Sequence, residues 1–459
     1  MTGPVGSSGS VGSSGWPGPA GSFGPAAPLD PAAVAEALRP FGASRTLPAA
    51  AYTDPAVLDW ERRQLFAGAW TCVGRVDDLF AGGRPGPGVL FGAESPLAAG
   101  DGLGGSEITQ RALTVGDVGV LLTAPARNVG HGGDGGDGGG DGDGRGHGGV
   151  RGFANVCRHR GHELLPDGGT AGRPSVICPY HGWSYRLDGS LARAPGAGVV
   201  ATSPFDPARY GLVELPVEVW HGWVFVNALG GAPPFPSYLG GLAGLIAPYR
   251  PGSLWRGARH EYRVAANWKV IVENYQECCH CPLIHPELCR VSPPRSGQNW
   301  ALPGAWVGGA MDLRPTAETM SLDGRSAGTA IEGAPEGTVR YVAVFPNLLI
   351  SAHPDYVMTH RLEPLSPGAT RVECAWYFPR VGTDPGYAVD FWDLTNRQDW
   401  AACESVQRGL SSPHFRPGPL AAGEDAVHRW MSLLARCYLD PIGAVAAACV
   451  DAAPDDRGQ

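Results

Sequence analysis

The chain has almost no lysine. Lys269 is the only lysine among 35 basic residues, and 44 acidic residues give a formal net charge of -9. Proteins that bind nucleic acid or anionic membranes depend on clustered lysine and arginine. The acidic balance therefore argues against both kinds of partner.

Long apolar runs are missing as well. No stretch approaches the roughly 18 apolar residues that cross a bilayer, and the N-terminus lacks the charged and then apolar pattern of a secretion signal. We therefore expect a cytoplasmic protein. The 11 cysteines are an odd number, unevenly spaced over 459 residues. They suit metal ligands and buried thiols better than a disulfide framework.

The distribution of residue types predicts two domains and an α+β fold. Residues 1–43 are rich in Gly, Ser, Pro and Ala and are expected to be disordered, with a short helix plausible over 31–41. Residues 44–230 combine an N-terminal helix, 54–66, with short, evenly spaced β-prone runs, which predicts a small all-β domain. Residues 231–445 contain consecutive strand-like runs followed by two long helices, which predicts an antiparallel sheet gripped by helices on one face. A flexible tail, 446–459, follows.

A glycine-rich insertion, residues 128–149, interrupts the smaller domain. It satisfies a Gly-x-Gly-x-x-Gly pattern through glycine content alone and offers no helix to seat a pyrophosphate. Its Asp and His residues could bind a metal loosely. A solvated loop is the favoured interpretation.

Two short Cys/His pairs lie in the smaller domain, Cys157 with His159 and Cys178 with His181. Two facing loops of this kind could hold a [2Fe-2S] cluster, with one iron on thiolates and the other on imidazoles. The alternative is a Cys2His2 zinc site. Zinc fingers, however, group Cys with Cys and His with His. His162 falls outside the repeat and is expected to be a structural hydrogen-bonding residue.

A second set of polar residues lies in the larger domain. If residues 267–281 are helical, Asn274, Glu277 and His280 follow one another at one-turn intervals on one face. His285 would be rotated away, and Pro282 supplies a distortion that could bring it back. Two imidazoles could then meet at one ion, although a histidine pair alone is as often structural.

A carboxylate would complete this second set, because two histidines and one carboxylate are the facial triad of non-haem Fe(II) sites. Asp399 falls on a predicted inward stripe of a long helix, where an uncoordinated carboxylate is costly. The stripe consists of Trp392, Asn396, Asp399, Cys403, Val406 and Leu410. Asp390, Asp393 and Glu404 are the alternatives, expected to be solvated or salt-bridged.

At these residues the chain resembles the Rieske non-haem iron oxygenases, over most of residues 45–440. The motifs that carry the resemblance are Cys157-Arg158-His159, Cys178-Pro179-Tyr180-His181-Gly182-Trp183, Asn267-Trp268-Lys269 and Asp399-x4-Glu404-x2-Gln407. The resemblance implies cluster ligands Cys157, His159, Cys178 and His181, and mononuclear iron ligands His280, His285 and Asp399. It also implies that Glu277 links the iron site to His181 of a neighbouring subunit in a trimer.

The resemblance further implies O2 as co-substrate and a separate NAD(P)H-dependent reductase or ferredoxin, since no flavin or nicotinamide motif is evident. Glu277, a longer carboxylate than the Asp usual in the family, resembles the branch that acts on quaternary ammonium compounds. We expect oxidative N-demethylation of a betaine-like amine. The candidate rings for its cation are Trp306, Tyr341, Tyr356, Trp376 and Trp392. Aromatic-ring hydroxylation or O-demethylation is the alternative. A pure electron carrier and a zinc-stabilised binding protein are rivals from other classes.

Overall fold

The computed structural model describes residues 26–80, 108–125, 149–197, 204–440 and 449. Within these ranges eleven α-helices form, and none of them is both long and apolar enough to span a membrane. They are α1 Pro31–Ala35, α2 Ala50–Thr53, α3 Pro55–Glu61, α4 Val76–Phe80, α5 Phe235–Leu239, α6 Leu242–Ile246, α7 Trp268–Tyr275, α8 Cys281–Ile284, α9 Pro286–Val291, α10 Gly386–Leu410 and α11 Asp425–Leu439.

The same ranges contain eighteen β-strands, most of them short. They are β1 Thr71–Arg75, β2 Gln110–Val115, β3 Val118–Thr123, β4 Arg151–Ala154, β5 Thr170–Ala171, β6 Ser175–Ile177, β7 Ser184–Arg186, β8 Leu191–Arg193, β9 Glu214–Leu215, β10 Val217–Trp220, β11 Trp223–Val226, β12 Trp255–Val264, β13 Gln298–Asn299, β14 Trp306–Asp312, β15 Thr338–Val344, β16 Leu348–Ala352, β17 Val357–Ser366 and β18 Ala369–Phe378.

The first eleven strands build the smaller, all-β part. In the described residues they form a five-stranded sheet of order β5-β2-β3-β4-β9 and two three-stranded sheets, β6-β7-β8 and β1-β11-β10. Their pairings are antiparallel. A compact apolar cluster that includes Leu121, Phe153, Val176 and Tyr185 fills the space beneath the loops after β4 and β6. Those loops are thereby supported by a packed core.

The last seven strands form one antiparallel sheet of order β12-β18-β17-β16-β15-β14-β13. The long strands β17 and β18 pair over most of their length, from Val357 opposite Tyr377 to Ser366 opposite Ala369. Helix α10 packs against α7 and β12, and α11 packs against β14. The predicted α+β class, with an all-β part and a helix-gripped antiparallel sheet, is confirmed.

The N-terminal helices belong to the core of the larger sheet. Val34, Tyr52 and Trp60 are buried in the same apolar cluster as Trp430 of α11. The sequence prediction grouped residues 44–66 with the smaller domain and treated 1–43 as disordered apart from a short helix over 31–41. That helix is present as α1, which Asp30 caps by accepting from Ala32 N at 3.0 Å. The apolar faces of α1 to α3 are covered by the larger core.

Several predictions fall on residues that the structure does not describe. Disorder of residues 1–25 and nearly all of the glycine-rich insertion lie outside the described residues, as does the tail 446–459 apart from residue 449. The predicted helix 54–66 appears as α3 followed by a wider π-helical turn, Arg62–Phe66.

The only lysine is buried at the junction of three helices. The side chains of Lys269 on α7 and Glu61 on α3 are fully buried, and Lys269 Nζ lies 2.6 Å from Glu61 Oε1. Trp268 Nε1 donates to the second oxygen of Glu61 at 2.8 Å, and the Tyr438 hydroxyl of α11 donates to the first at 2.5 Å. Burial lowers the pKa of Lys269, and the Glu61 carboxylate opposes that shift. This network fixes α7, the helix that leads to the second candidate site.

Two candidate metal centres

Two loops of the smaller part share one backbone design. Cys157 N–H donates to His162 O at 2.8 Å, and Gly161 N–H donates to Cys157 O at 3.0 Å. In the second loop Cys178 N–H donates to Trp183 O at 2.8 Å, and Gly182 N–H donates to Cys178 O at 3.1 Å. Gly161 and Gly182 have φ of 74° and 69°, values that glycine adopts without steric cost.

In each loop the cysteine is buried and the histidine is exposed. Cys157 and Cys178 are 2% exposed, free thiols. His159 and His181 are exposed, with ring centroids 4.7 Å apart. His159 stacks on Trp183 at 4.9 Å and an interplanar angle of 6°. This separation of donors fits a two-iron cluster with thiolates on the inner iron and imidazoles on the outer one.

Tyr185 is a neighbour of this cluster that sequence reasoning missed. Its hydroxyl lies 3.3 Å from Cys157 Sγ and accepts from Arg158 N at 3.0 Å. It lies on β7, two residues after Trp183. The signal available in the sequence was that Tyr185 stands between two polar residues, as an inward-facing residue of a strand does. His162 hydrogen-bonds the neighbouring carbonyl of Glu163.

The helix predicted over 267–281 is broken, and that prediction was wrong in its second half. Helix α7 ends at Tyr275, a turn follows, and α8 begins only at Cys281. Pro282 lies in the first turn of α8 and therefore starts a new helix instead of distorting the first, as proline is tolerated at that position. Pro286 begins α9 in the same way, so His285 lies between two short helices.

The break brings His280, His285 and Asp399 together. One ligand atom of each lies within 4.8 Å of the other two. Asp399 Oδ1 is 2.9 Å from His285 Nε2 and 3.4 Å from His280 Nε2. His285 is 1% exposed. Two imidazoles and one carboxylate at these separations fit a facial triad.

A hydrogen bond to the second ring nitrogen orients each histidine of the triad. His280 Nδ1 is paired with Glu277 Oε1, and the backbone N–H of His280 donates to Glu277 Oε2 at 3.3 Å. His285 Nδ1 lies 2.7 Å from Gln398 Oε1. Such partners fix the tautomer and ring orientation of metal-binding histidines. Gln398 was missed from the sequence, where its position next to Asp399 was the only signal.

The electrostatics of the triad follow from the same contacts. Burial alone would lower the pKa of His280, but hydrogen bonds to Asp399 and Glu277 outweigh it and raise the value to about 9. The pKa of His285 is raised in the same way against burial. Burial pushes the pKa of Asp399 upward, and the two histidines lower it overall. The carboxylate is therefore ionised and available as a ligand.

The remaining predicted site residues lie elsewhere. Asn274 is half-buried on α7 and, within the described residues, makes no hydrogen bond to the triad. Asp390 is exposed, Asp393 accepts from the Tyr262 hydroxyl at 2.6 Å, and Glu404 accepts from the backbone of Ala265 at 3.0 Å.

The predicted inward stripe of α10 needs one correction. Val406 is 50% exposed and Gln407 is buried in its place. The 3.6-residue repeat carries the buried face from Cys403 to Gln407 and then to Leu410.

The cysteines beside the triad are not all thiols. Cys278 and Cys281 form a disulfide, whereas Cys279 between them is an exposed thiol. The sequence favoured metal ligands and buried thiols over a disulfide framework; one disulfide is present, and the other nine cysteines are free. The two sulfurs meet because the turn between α7 and α8 brings their Cα atoms to 5.0 Å.

Four of the five candidate rings lie together. Tyr356, Trp376 and Trp392 belong to the apolar cluster that also contains Cys281, and Tyr341 packs against it. Trp306 lies in the other large cluster and donates to Pro303 O at 3.1 Å. It is the one candidate ring that lies outside the cluster formed by the other four.

Two buried histidines near these rings were also missed. His353 stacks on Tyr356 at 4.0 Å, and His360 Nε2 lies 3.1 Å from Asn396 Oδ1. Burial lowers their pKa values to about 3 and about 4. Both imidazoles are therefore neutral at pH 7 and do not repel a cation. A lone histidine in a strand, such as His360, or just after one, such as His353, carries no sequence signal for such a role.

Comparison with known proteins gives two family matches that together span both sites. The profile of the Rieske [2Fe-2S] domain matches residues 142–204, and that of the ring hydroxylating alpha subunit (catalytic domain) matches residues 251–439.

Individual relatives agree with these profiles. The glycine betaine monooxygenase oxygenase subunit of Chromohalobacter salexigens is 28% identical over 423 residues, covering 84% of each chain. That of Pseudomonas aeruginosa strain UCBPP-PA14 is 30% identical over 308 residues, covering 59% of this chain and 70% of the relative. The crystal structure of the quaternary ammonium Rieske monooxygenase CntA superposes with a TM-score of 0.63 at 24% identity, covering 88% of this chain and 98% of that chain. The chain therefore belongs to the Rieske non-haem iron oxygenases, as an oxygenase component that carries a Rieske [2Fe-2S] cluster and a mononuclear iron and uses O2.

Proposed function

We propose that this oxygenase hydroxylates a quaternary ammonium compound and so removes an N-methyl group. The proposal rests on one observation: His280, His285 and Asp399 meet beside the apolar cluster that holds most of the candidate rings. The histidine stacked on Tyr356 in that cluster, His353, is neutral. The relatives named for glycine betaine support the substrate class.

We assign the two centres as follows. Cys157, His159, Cys178 and His181 hold the [2Fe-2S] cluster, and His280, His285 and Asp399 hold the mononuclear iron. Glu277 and Gln398 position the two iron-binding histidines through their Nδ1 atoms. When bound, the mononuclear iron supplies the centre at which O2 is reduced and substrate is oxidised. Asn274 stays a predicted site residue. It lies in the last helical turn of α7, three residues before Glu277.

The aromatic cluster supplies the substrate-binding surface in this proposal. The Tyr341 and Trp392 rings lie 6.4 Å apart, and the indole of Trp392 donates to the Tyr356 hydroxyl at 2.7 Å. The Tyr341 hydroxyl and the Trp376 indole nitrogen are buried without a hydrogen-bond partner among the described residues. Ring faces attract a trimethylammonium group, and a desolvated site strengthens that attraction.

Members of the family act on small molecules and take electrons from a reductase. For this chain we propose a separate NAD(P)H-dependent reductase or ferredoxin as the donor, a cytoplasmic location where NAD(P)H is available, and a homotrimer. In the trimer, Glu277 of one subunit would face His181 of the next. Exposed apolar side chains beside each centre support such contact between copies. Tyr180, next to the cluster ligand His181, is 53% exposed, and Leu283, on α8 between the two triad histidines, is 89% exposed.

We further propose two domains that differ from the sequence-based boundaries. The smaller would run from about residue 70 to 230. The larger would combine residues 231–440 with helices α1 to α3, whose apolar side chains lie in its core.

Metal analysis tests the assignment. We expect about three irons per chain in the wild type. Asp399→Ala is expected to lower this to about two while the reduced cluster keeps its EPR signal. About two irons in the wild type would instead indicate a pure electron carrier. Unchanged iron in the Asp399→Ala variant would remove Asp399 from the ligand set.

Turnover with the reductase tests the substrate class. Hydroxylation of an N-methyl carbon gives a carbinolamine that breaks down to formaldehyde and the demethylated amine. We expect formaldehyde from glycine betaine. Its tert-butyl carbon analogue keeps the shape and the carboxylate but has no cationic centre, so we expect neither a hydroxylated product nor substrate-dependent O2 consumption from it. Tyr341→Leu is expected to raise KM for the cation by roughly 2- to 30-fold, the value of one cation–π contact. Hydroxylation of aromatic compounds in preference to ammonium compounds would favour the alternative.

A further inference from the structure

The disulfide between Cys278 and Cys281 encloses a ligand of the proposed iron site. Its ring contains Cys279 and His280, and it closes the turn that separates α7 from α8. The position of His280 is therefore set by a covalent link as well as by its hydrogen bond to Glu277.

One sulfur of this pair lies beside the metal-facing nitrogen of His280. Cys281 Sγ is 4.0 Å from His280 Nε2, the atom that lies 3.4 Å from Asp399 Oδ1. Cys281 is 3% exposed and packs in the apolar cluster next to the triad. A thiolate at this place could reach a metal held by the three ligands after a small side-chain rotation, because metal–sulfur bonds are about 2.3 Å long.

The other cysteine of the bond lies closer to the surface. Cys278 is half-buried and adjoins Cys279, which is exposed. Exchange with an external dithiol requires such access to one sulfur of the bond. The Cys-x-x-Cys spacing is also that of reversible dithiol–disulfide couples.

We propose that Cys278 and Cys281 form a reversible redox modification site, and that its reduction exposes Cys281 as an additional sulfur ligand of the mononuclear metal. The inference rests on the proposed iron site. In the disulfide state the sulfur of Cys281 is bonded to Cys278 and withheld from the metal, so the metal has only nitrogen and oxygen protein ligands. In the dithiol state a soft thiolate joins the site, which changes its metal preference and occupies a position otherwise open.

The chemistry of the modification is balanced with ordinary reagents. One molecule of hydrogen peroxide oxidises the two thiols, forms the S–S bond and leaves two molecules of water. An external dithiol reverses the step by exchange, so its own two sulfurs become the disulfide and its two protons pass to Cys278 and Cys281.

Thiol counting tests reversibility. The full-length protein with its cluster is treated with peroxide or with a dithiol, blocked with an alkylating agent under denaturing conditions, and digested for mass spectrometry. We expect Cys278 and Cys281 to be protected after peroxide and alkylated after the dithiol. Cys289, a half-buried thiol that donates to Cys281 O at 3.4 Å, should be alkylated in both samples. Full alkylation of Cys278 and Cys281 after peroxide overturns the proposal.

Zinc in place of iron tests the additional ligand. X-ray absorption at the zinc edge separates Zn–S distances of about 2.3 Å from Zn–N and Zn–O distances of about 2.0–2.2 Å. We expect no sulfur in the disulfide protein and one sulfur per zinc after reduction. Cys278→Ser should show the sulfur without reductant, and Cys281→Ser should never show it. Cys279→Ser is the matched control, because its thiol points toward Ala422 O at 3.8 Å.

The outcomes separate this inference from the proposed iron site. Zinc bound through nitrogen and oxygen only, in both the reduced protein and Cys278→Ser, overturns the sulfur ligand and leaves the triad intact. Zinc bound as tightly by the disulfide form of Asp399→Ala as by the disulfide form of the wild type overturns the triad and the inference with it.

Discussion

His285 Nδ1 lies 2.7 Å from Oε1 of Gln398, the residue that directly precedes Asp399 on α10. Consecutive residues of one helix thus contact opposite nitrogens of the same imidazole, since Asp399 Oδ1 lies 2.9 Å from His285 Nε2. The contact places the proton on Nδ1 and leaves the Nε2 lone pair for a metal. Helix α10 therefore supplies both the carboxylate ligand and the group that orients a histidine ligand.

Replacement of Gln398 by leucine should weaken Fe(II) binding by about 10- to 100-fold, the usual cost of losing such a partner. Competition with a chelator under anaerobic conditions measures the affinity. Gln398→Glu keeps the acceptor and is the matched control. The EPR signal of the reduced cluster should be the same in all three proteins. Equal affinity in the leucine variant would show that Gln398 does not orient His285.

Tyr185→Phe should lower the reduction potential of the cluster by tens of millivolts, because hydrogen bonds to cluster sulfurs stabilise the reduced form. The hydroxyl removed lies 3.3 Å from Cys157 Sγ. Redox titration followed by EPR gives the potential. Iron content should stay constant, since Tyr185 is not a ligand. An unchanged potential would mean that the hydroxyl donates elsewhere in the assembled cluster.

Lys269→Met should destabilise the fold by about 3–5 kcal/mol, the typical cost of leaving a buried charge without its partner. The charge left behind is Glu61, whose side chain is fully buried. Denaturant unfolding followed by circular dichroism measures the loss. The double variant Lys269→Met with Glu61→Gln removes the unpaired charge. Its amide oxygen can still accept from Trp268 and its amide N–H can donate to the Tyr438 hydroxyl oxygen, so it should recover most of the lost stability. A double variant as unstable as the single one would point to lost packing instead.

Because of Glu273, the free energy of unfolding should fall as the pH rises from about 4.5 to about 8. Burial raises its pKa from 4.5 to about 8, against the opposing hydrogen bond from Tyr52. In that window the folded state holds a proton that the unfolded state has released, so each pH step favours unfolding. Glu273→Gln keeps the acceptor for Tyr52 and should remove most of this pH dependence of the unfolding free energy. By pH 8 the variant should be more stable than the wild type by on the order of 1–3 kcal/mol. Parallel slopes in the two proteins would contradict this assignment.

The strands and long helices were predictable because their patterns are local. The long helix predicted from the stripe between Trp392 and Leu410 is α10, which runs Gly386–Leu410. The Cys/His pairs were equally visible, because each lies within a few residues of chain.

Features set by tertiary packing were not predictable. The end of α7 at Tyr275 has no proline or glycine to mark it, and the turn that follows is held by Glu277, which accepts from the backbone N–H of His280. The burial of α1 to α3 in the larger core depends on contacts more than two hundred residues apart, such as Tyr52 with Glu273. The roles of Gln398 and Tyr185 likewise follow only from their contacts in the folded protein, because a single polar residue forms no recognisable sequence pattern.

The burial of Lys269 has a practical consequence for anyone handling this protein. With no other ε-amine in the chain, acylating dyes, amine cross-linkers and biotin esters find only the α-amino terminus of the native enzyme. Conjugation at one defined point is therefore available without engineering. Appearance of a label on Lys269 becomes a direct chemical report that the junction of α3, α7 and α11 has opened.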